Sequence, residues 1–398
     1  MLLETFFDML QLHRDDKFVS LRFLRPFKVI STSMPDGGLA SHLDLVFNHQ
    51  CSEPAAHTIA HHSKVFFNPD GYRAALLADH GLEKAAAAGL GTAANMNNMC
   101  VAQESHLDLS IVAIVTGGVE GNAARAGDPA SFYEQGGTFH RRGDIAPEQP
   151  GTINIMLACN TPLTDGALVR AVMTATEAKS VVLQELSVPS RQSPSIATGT
   201  GTDQIAVMAP TDGAFPIVSA GHHSVLGELI ARAVIRALKG ALVLQNGLTP
   251  NRQCSCGQLL ERFGAGPDAL GERIAALLSG DAAELARRNH FAVDRDPLTV
   301  AAVAALIHLY DQVSWEVLPA VCWPEIAVHH GAQIAVAASG CAERRDDYQS
   351  ALNKKATSRT PQGLVETVAT AIALGFVDKW KKAEVRIECI DGPSELTL

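Results

Sequence analysis

The pattern of apolar residues changes once along the chain, near residue 250, and that change limits the folds open to it. Before it, strand-length apolar runs alternate with long amphipathic stretches. Residues 109–116 and 152–159 are mostly apolar and read as buried strands, and residues 204–209 form another strand. Between them, residues 165–186 place Leu168, Val172, Ala175, Val182, Leu183 and Leu186 at helical spacing, with Thr164 as a candidate N-cap. Residues 223–239 do the same with Leu226, Ile230, Val234 and Leu238 inward and Arg232, Arg236 and Lys239 outward. After residue 258 one helical pattern follows another to about 380, ending in a short strand at 383–389. Strands alternating with helices predict an α/β (α+β) domain over 1–248. A linker at 248–257 and a mostly helical domain over 258–398 follow it. The 1–248 part is expected to be a layered sheet-and-helix structure, of which an αββα stack is one form.

Other segments give further expectations. Residues 1–10 read as a short amphipathic helix with Leu3, Phe6, Phe7 and Leu10 on one side. Residues 17–30 alternate as strands near a sheet edge. Residues 71–88 read as an alanine-rich helix broken by Gly89-Leu90-Gly91. Residues 117–151 contain eight glycines and read as one long loop, the kind of segment that often carries function.

Composition bounds the function. Of the 398 residues, 47% are hydrophobic and 19% charged, which is globular, and the formal net charge of −10 opposes binding to nucleic acid or an anionic membrane. No stretch approaches the roughly 18 uncharged apolar residues of a membrane span. Glu4 and Asp8 interrupt the first apolar run and no basic region precedes it, unlike a secretory signal, so the expected location is cytoplasmic. Eight scattered cysteines are then reduced thiols, and the lone Cys254-x-Cys256 pair is a weak metal signal. His57 and His61 have the i, i+4 spacing of a helical metal pair but lack an acidic partner; with His62 beside them they give no convincing metal site.

Several strings could carry chemistry. Thr198-Gly-Thr-Gly-Thr-Asp203 sets three hydroxyls and a carboxylate before a strand, suited to an anion or a nucleophile, and equally to a hydrogen-bonded turn. Asn122, Arg125 and Asp128 lie on a glycine-rich loop at a strand end; an internal Arg125–Asp128 pair is the plainer reading. Thr152 begins a buried strand and is either a β-former or an activated nucleophile. Glu177 and Lys179 sit in Thr174-Ala-Thr-Glu-Ala-Lys179, where an exposed charged face is preferred, although a buried Lys179 would be a catalytic candidate. His222 and His223 precede a helix that Ser224 can cap.

These strings, with Gly91-Thr-Ala-Ala-Asn-Met-Asn97, Arg125-Ala-Gly-Asp-Pro129, Gly151-Thr-Ile-Asn-Ile155 and Gly221-His-His-Ser-Val-Leu-Gly-Glu228, occur in an order that resembles the adenosylcobinamide amidohydrolase family over about residues 18–245. The resemblance implies hydrolysis of the amide joining aminopropanol to the corrin ring, giving adenosylcobyric acid for corrinoid salvage. The cobalt corrinoid is then a small-molecule substrate, and no cofactor or resident metal is implied. A homo-oligomer stays open. Residues 250–398 fall outside the resemblance.

A more distant resemblance joins Thr152-Ile-Asn-Ile-Met-Leu-Ala-Cys-Asn-Thr-Pro-Leu163 and Gly89-Leu-Gly-Thr-Ala-Ala94 to the D-aminopeptidase and ornithine acetyltransferase group. There a serine or threonine in the position of Thr152 is exposed by self-cleavage. Ala86 stands near the place of a lysine often found in that group. The resemblance implies that Thr152 attacks, that Asp203 with Thr200 or Thr202 moves the proton, and that donors near Thr92 and Asn95 hold the oxyanion. Asn122, Arg125, Asp128, Glu177, Lys179, His222 and His223 would bind substrate. Two alternatives remain at this point: a non-catalytic corrinoid-binding module, and a self-processing peptidase or acyltransferase of the D-aminopeptidase group.

Overall fold

A computed structural model describes residues 1–51, 68–136, 138–143, 151–355 and 358–386. The chain divides into two compact units, Met1–Leu248 and Thr249–Leu398.

The first unit runs β1 (Leu2–Phe6), β2 (Leu10–Asp15), β3 (Phe18–Phe23), β4 (Phe27–Ser31), β5 (Gly38–Ala40), β6 (Leu45–Gln50), α1 (Pro69–Asp79), β7 (Ala87–Thr92), β8 (Cys100–His106), β9 (Leu109–Gly117), β10 (Ala123–Ala124), β11 (Phe132–Gln135), β12 (Thr138–Arg141), β13 (Ile153–Cys159), α2 (Asp165–Glu185), β14 (Gly199–Thr200), β15 (Gln204–Pro210) and α3 (Val225–Asn246). Two large sheets form, one in the order β1-β2-β3-β6-β7 and one in the order β5-β4-β15-β13-β9-β8.

Side-chain alternation along each strand stacks these sheets. Val112, Ile114, Met156, Ala158, Ala206 and Met208 meet Leu10, Leu21, Val46 and Leu90 of the other sheet in one core. The opposite positions Ala113, Val115, Ile153, Ile155, Leu157 and Val207 pack on Leu168, Ala175, Val182, Ile230, Val234 and Leu238 of α2 and α3. On the far side, Leu76 and Leu77 of α1 cover Phe18, Leu45, Phe47 and Ala87. The order of layers is α, β, β, α, as expected. Thr164 caps α2 by accepting from the Ala167 amide at 3.2 Å, and Ser224 caps α3 by accepting from Gly227 at 3.2 Å. Helix α3 runs to Asn246, past the expected 239, and stops where Gly247 turns left-handed at φ 62°.

Several expectations are corrected. The N-terminus is a hairpin rather than a helix: Phe6 pairs with Leu10, and Phe7 and Asp8 turn the chain at φ 56° and 53°. Of the strands expected near a sheet edge over 17–30, β3 lies in the middle of its sheet, whereas β4 does lie next to the edge strand β5. The helix expected over 71–88 ends at Asp79, after which Gly81 reverses the chain at φ 66°. Its alanine-rich tail and Gly89 instead form β7, parallel to β6. Gly89 is needed there because a Cβ would lie 2.3 Å from Cζ of Phe47. The expected 117–151 loop contains β10 and the β11–β12 hairpin among its described residues.

The second unit is helical, with long helices at Pro297–Ser314, Trp323–Ser339 and Pro361–Arg386 around a core that includes Leu306, Trp323, Ile334 and Phe376. The Arg262 guanidinium spans both carboxylate oxygens of the buried Asp311. The expected linker contains two capped helical turns, Pro250–Gln253 and Cys256–Leu260. Burial, with Asp294 and Asp296 nearby, pushes the Cys256 thiol well above its ordinary range, and its side chain packs in the core of this unit. The expected strand at 383–389 is helical through Arg386; its remainder, like His57, His61 and His62, lies outside the described residues. Among the described residues, no helix is long and apolar enough to cross a membrane.

Candidate active site at the start of a buried strand

Thr152 immediately precedes β13, the strand flanked by β15 and β9. By strand alternation it shares the inter-sheet face with Asn154, Met156 and Ala158. It is 5% exposed. Three segments converge on it: the chain after β9, the Thr198–Asp203 turn before β15, and α2.

A compact set of hydrogen bonds joins Thr152, Thr202, Asn122 and Gly151. Thr202 Oγ1 donates to the Gly151 carbonyl at 3.0 Å and accepts from Asn122 Nδ2 at 3.2 Å. Thr152 Oγ1 and Thr202 Oγ1 are hydrogen-bonded at 2.6 Å, and either hydroxyl can donate. When the Thr202 proton is on the Gly151 carbonyl, Thr152 is the donor. Asn122 Nδ2 also donates to the Gly151 carbonyl at 3.0 Å, so two donors converge on that oxygen. Gly151 cannot carry a side chain here, since a Cβ would lie 2.9 Å from the Gly118 carbonyl.

Asp203 braces the arrangement. One carboxylate oxygen accepts from the Ile153 amide at 3.0 Å and from Thr200 Oγ1 at 2.5 Å; the other accepts from the Thr200 amide at 3.0 Å and pairs with Lys179 Nζ. The Lys179 and Asp203 side chains are 12% and 15% exposed, which corrects the preference for an exposed Lys179. Gly199 leaves room for this pair, because a Cβ would lie 2.5 Å from Asp203 Oδ2 and 2.8 Å from Lys179 Nζ. Asp203 therefore holds the backbone and the turn, and Thr202 is the residue whose side chain is hydrogen-bonded to the Thr152 hydroxyl.

The other expected residues divide between neighbours of this cluster and residues apart from it. Thr92 ends β7 on the inter-sheet face, its hydroxyl accepting from Ala94. Ala94 Cβ and Gly151 Cα both lie about 4 Å from the point a Gly118 Cβ would occupy, so the bend after Thr92 passes beside Gly151. Asn95 caps the turn at Met96–Asn98, and its amide donates to Gln245 Oε1. Asp128 accepts from Ser190 Oγ at 2.6 Å and from the Arg125 amide at 2.8 Å. Its partial burial raises the carboxyl pKa, but these hydrogen bonds outweigh that and hold it below the ordinary carboxylate value. His222 pairs through Nε2 with Glu177 on the exposed side of α2, and His223 is exposed beside it.

Four residues were missed. Asn154 Nδ2 donates to Asn48 Oδ1 at 2.8 Å and to the Gly91 carbonyl at 3.0 Å, Asn48 Nδ2 donates to Thr116 Oγ1, and Gln204 Oε1 accepts from the Gly91 amide. This buried network ties β7 to β13. One available signal was a polar Asn154 on an otherwise apolar strand.

Comparison with known proteins follows the same boundaries. A family model described as adenosylcobinamide amidohydrolase matches residues 4–250. An uncharacterized protein of Methanocaldococcus jannaschii is 40% identical over 184 residues, covering 45% of this chain and 71% of that protein. Among solved structures, a Burkholderia β-aminopeptidase is 15% identical with a TM-score of 0.28, covering 61% of this chain and 82% of its own. The L-aminopeptidase D-Ala-esterase/amidase of Ochrobactrum anthropi is 13% identical with a TM-score of 0.27, covering 60% and 83%. TM-scores this low bear on neither fold nor function. The family match, by contrast, takes in more than half of the chain and every residue of the Thr152 cluster, and by it this chain belongs to the adenosylcobinamide amidohydrolase family.

Proposed function

We propose that the protein hydrolyses the amide between aminopropanol and the corrin ring of adenosylcobinamide, releasing adenosylcobyric acid, with Thr152 as nucleophile. The observation that carries this reading is the 2.6 Å hydrogen bond between the Thr152 and Thr202 hydroxyls, set beside the Gly151 carbonyl at the start of a buried strand. Thr152 Oγ adds to the amide carbonyl while its proton passes through Thr202 towards the leaving amine. The C–N bond breaks, aminopropanol departs, and water hydrolyses the resulting ester and restores the hydroxyl. Side-chain donors near Thr92 and Asn95 hold the oxyanion, while Asn122, whose Nδ2 protons go to the Gly151 carbonyl and Thr202 Oγ1, positions the turn beside it. The Lys179–Asp203 pair holds the turn in register.

The donors on the Gly151 carbonyl also suit an attack by Thr152 on its own preceding peptide bond. That step would form an ester at Oγ and free the Thr152 amine; water would then release Gly151 as a carboxylate. In either form the nucleophile is a side chain and the reaction needs no added metal. The test is incubation of purified protein with adenosylcobinamide and detection of free aminopropanol, with and without a chelator. Release that survives chelation supports the reading. Loss restored by zinc removes the metal-free step, and absence of turnover with any corrinoid removes the reading.

A further inference from the structure

Gly118 stands directly across the β9–β13 ladder from Thr152: Gly117 pairs with Ile153, and the Gly118 amide donates to the Thr152 carbonyl at 3.0 Å. Residues opposite each other in such a ladder project on the same face, with their Cβ positions about 5 Å apart. Apart from its chain neighbours, a Cβ on Gly118 would meet nothing closer than 3.9 Å, so the space beside the Thr152 side chain is open there. Gln245 Cγ, Gly151 Cα and Ala94 Cβ border it, at 3.9, 3.9 and 4.0 Å from that point. Gln245, near the end of α3, is thus brought to the edge of the space that Thr152 faces.

Gln245 is linked to a second amide. Its Oε1 accepts from the Asn95 backbone N–H at 3.0 Å and from Asn98 Nδ2 at 2.8 Å. A backbone N–H can only donate, so it fixes which end of Gln245 is the oxygen, and Gln245 in turn fixes Asn98. Two ends are left over: Gln245 Nε2, a donor, and Asn98 Oδ1, an acceptor, neither with a partner among the described residues. A donor and an acceptor on either side of one amide–amide hydrogen bond match a third amide, whose carbonyl accepts from Gln245 and whose N–H donates to Asn98. A primary carboxamide presents its carbonyl and an N–H on the same side. The scissile amide is secondary and trans, and presents them on opposite sides. A carboxylate would set an oxygen against Asn98 Oδ1.

We propose that Gln245 and Asn98 form a subsite for a primary carboxamide on the corrin rim, next to the side chain that is cut. The inference rests on the corrinoid reading of the site. The rim of a cobinamide carries primary carboxamides besides the aminopropanol amide, and the subsite uses one of them as a handle. Held there, it sets the neighbouring scissile carbonyl in the open space over Gly118, beside the Thr152 hydroxyl.

The experiment measures aminopropanol release by the full chain from adenosylcobinamide and from its separated monocarboxylic acid isomers, each with one primary carboxamide replaced by a carboxylate. With the wild type, one isomer should show a KM raised about tenfold, the scale of one hydrogen bond exchanged for opposed lone pairs. Its kcat should change little, because the subsite binds ground and transition states alike. Asn98→Leu, which lacks the opposing oxygen, should treat that isomer and the intact substrate alike. Gln245→Glu keeps both bonds at Oε1 but has no proton to give, so it should raise KM for the intact substrate by a similar factor and melt like the wild type. If either variant fails to melt cooperatively, the isomer comparison on the wild type decides alone. A wild type indifferent among the isomers overturns the inference and leaves the functional reading standing. So does an Asn98→Leu enzyme that still discriminates, or a Gln245→Glu enzyme with an unchanged KM. A Gln245→Glu effect confined to kcat overturns it in favour of a part in the chemistry. Absence of release from every substrate overturns the functional reading, and the inference with it.

Discussion

The Thr152 and Thr202 hydroxyls are hydrogen-bonded across 2.6 Å, and Thr202 Oγ1 also lies 3.0 Å from the Gly151 carbonyl, so a proton leaving Thr152 has a second hydroxyl to pass to. Thr202→Val should lower kcat by about 10²–10⁴-fold, the range of a lost acid–base partner. Thr202→Ser should retain most of the rate. Equal rates in Thr202→Val and the wild type would show that the proton leaves Thr152 by another route.

Thr152→Ala should lower turnover by at least about a thousandfold, the scale of a missing nucleophile, while corrinoid binding changes little. Thr152→Ser should keep part of the activity. Mass spectrometry of the wild type should show a fragment beginning at Thr152, absent from the alanine variant. An intact, active wild type would restrict the mechanism to the internal hydroxyl.

Lys179→Met leaves the largely buried Asp203 carboxylate without its cation. Removing one partner of such a pair costs about 3–5 kcal/mol, which should lower the thermal midpoint by roughly ten degrees. Adding Asp203→Asn should recover part of that loss, since the orphaned charge is then gone. A single variant that melts like the wild type would mean that the pair is solvated in solution.

Asp128 gives a pH effect with a definite sign. Its carboxyl titrates below its ordinary value in the folded chain, so its hydrogen bonds stabilise the fold above the ordinary carboxylate range. That contribution is lost as pH falls through the lowered folded value. Asp128→Asn should flatten this part of the stability curve in acid denaturation monitored by circular dichroism. An unchanged acid limb would remove Asp128 from the account.

A chain ending at residue 248 should be soluble and melt in one cooperative transition, since residues 1–248 form their own cores and carry the whole Thr152 cluster. An insoluble product, or a melt without a transition, would mean that the helical unit is needed to complete the fold.

The parts of the fold legible in sequence are those where one periodicity dominates. Helices α2 and α3 repeat apolar residues at helical spacing, and β9, β13 and β15 are mostly apolar runs covered on both faces. The N-terminal hairpin was hidden because Leu3, Phe6, Phe7 and Leu10 also fit a helix, and its turn places Phe and Asp in left-handed conformations that usually call for glycine or asparagine. Strand β7 was hidden by alanines that favour helix until tertiary pairing overrides them. At the site, Thr152, Thr202 and Asp203 could be named from their motifs. The partnership of Asp203 with Lys179 could not, because it depends on how far α2 is rolled against the sheet. Nor could the bracing role of Asp203, which is set by the backbone amide it meets.

Strand β13 alternates strictly, with Ile153, Ile155 and Leu157 towards the helices and Asn154, Met156 and Ala158 towards the other sheet. Thr152 inherits its position from that parity. Inserting one residue between Thr152 and Ile153 would carry the hydroxyl to the helical side or out of line, whichever end of the strand held its register. Inserting two would restore the side but move the hydroxyl away from Thr202. The site thus tolerates a change of side chain far better than a change of count, and natural or engineered length variation should be absent between Gly151 and Asn154.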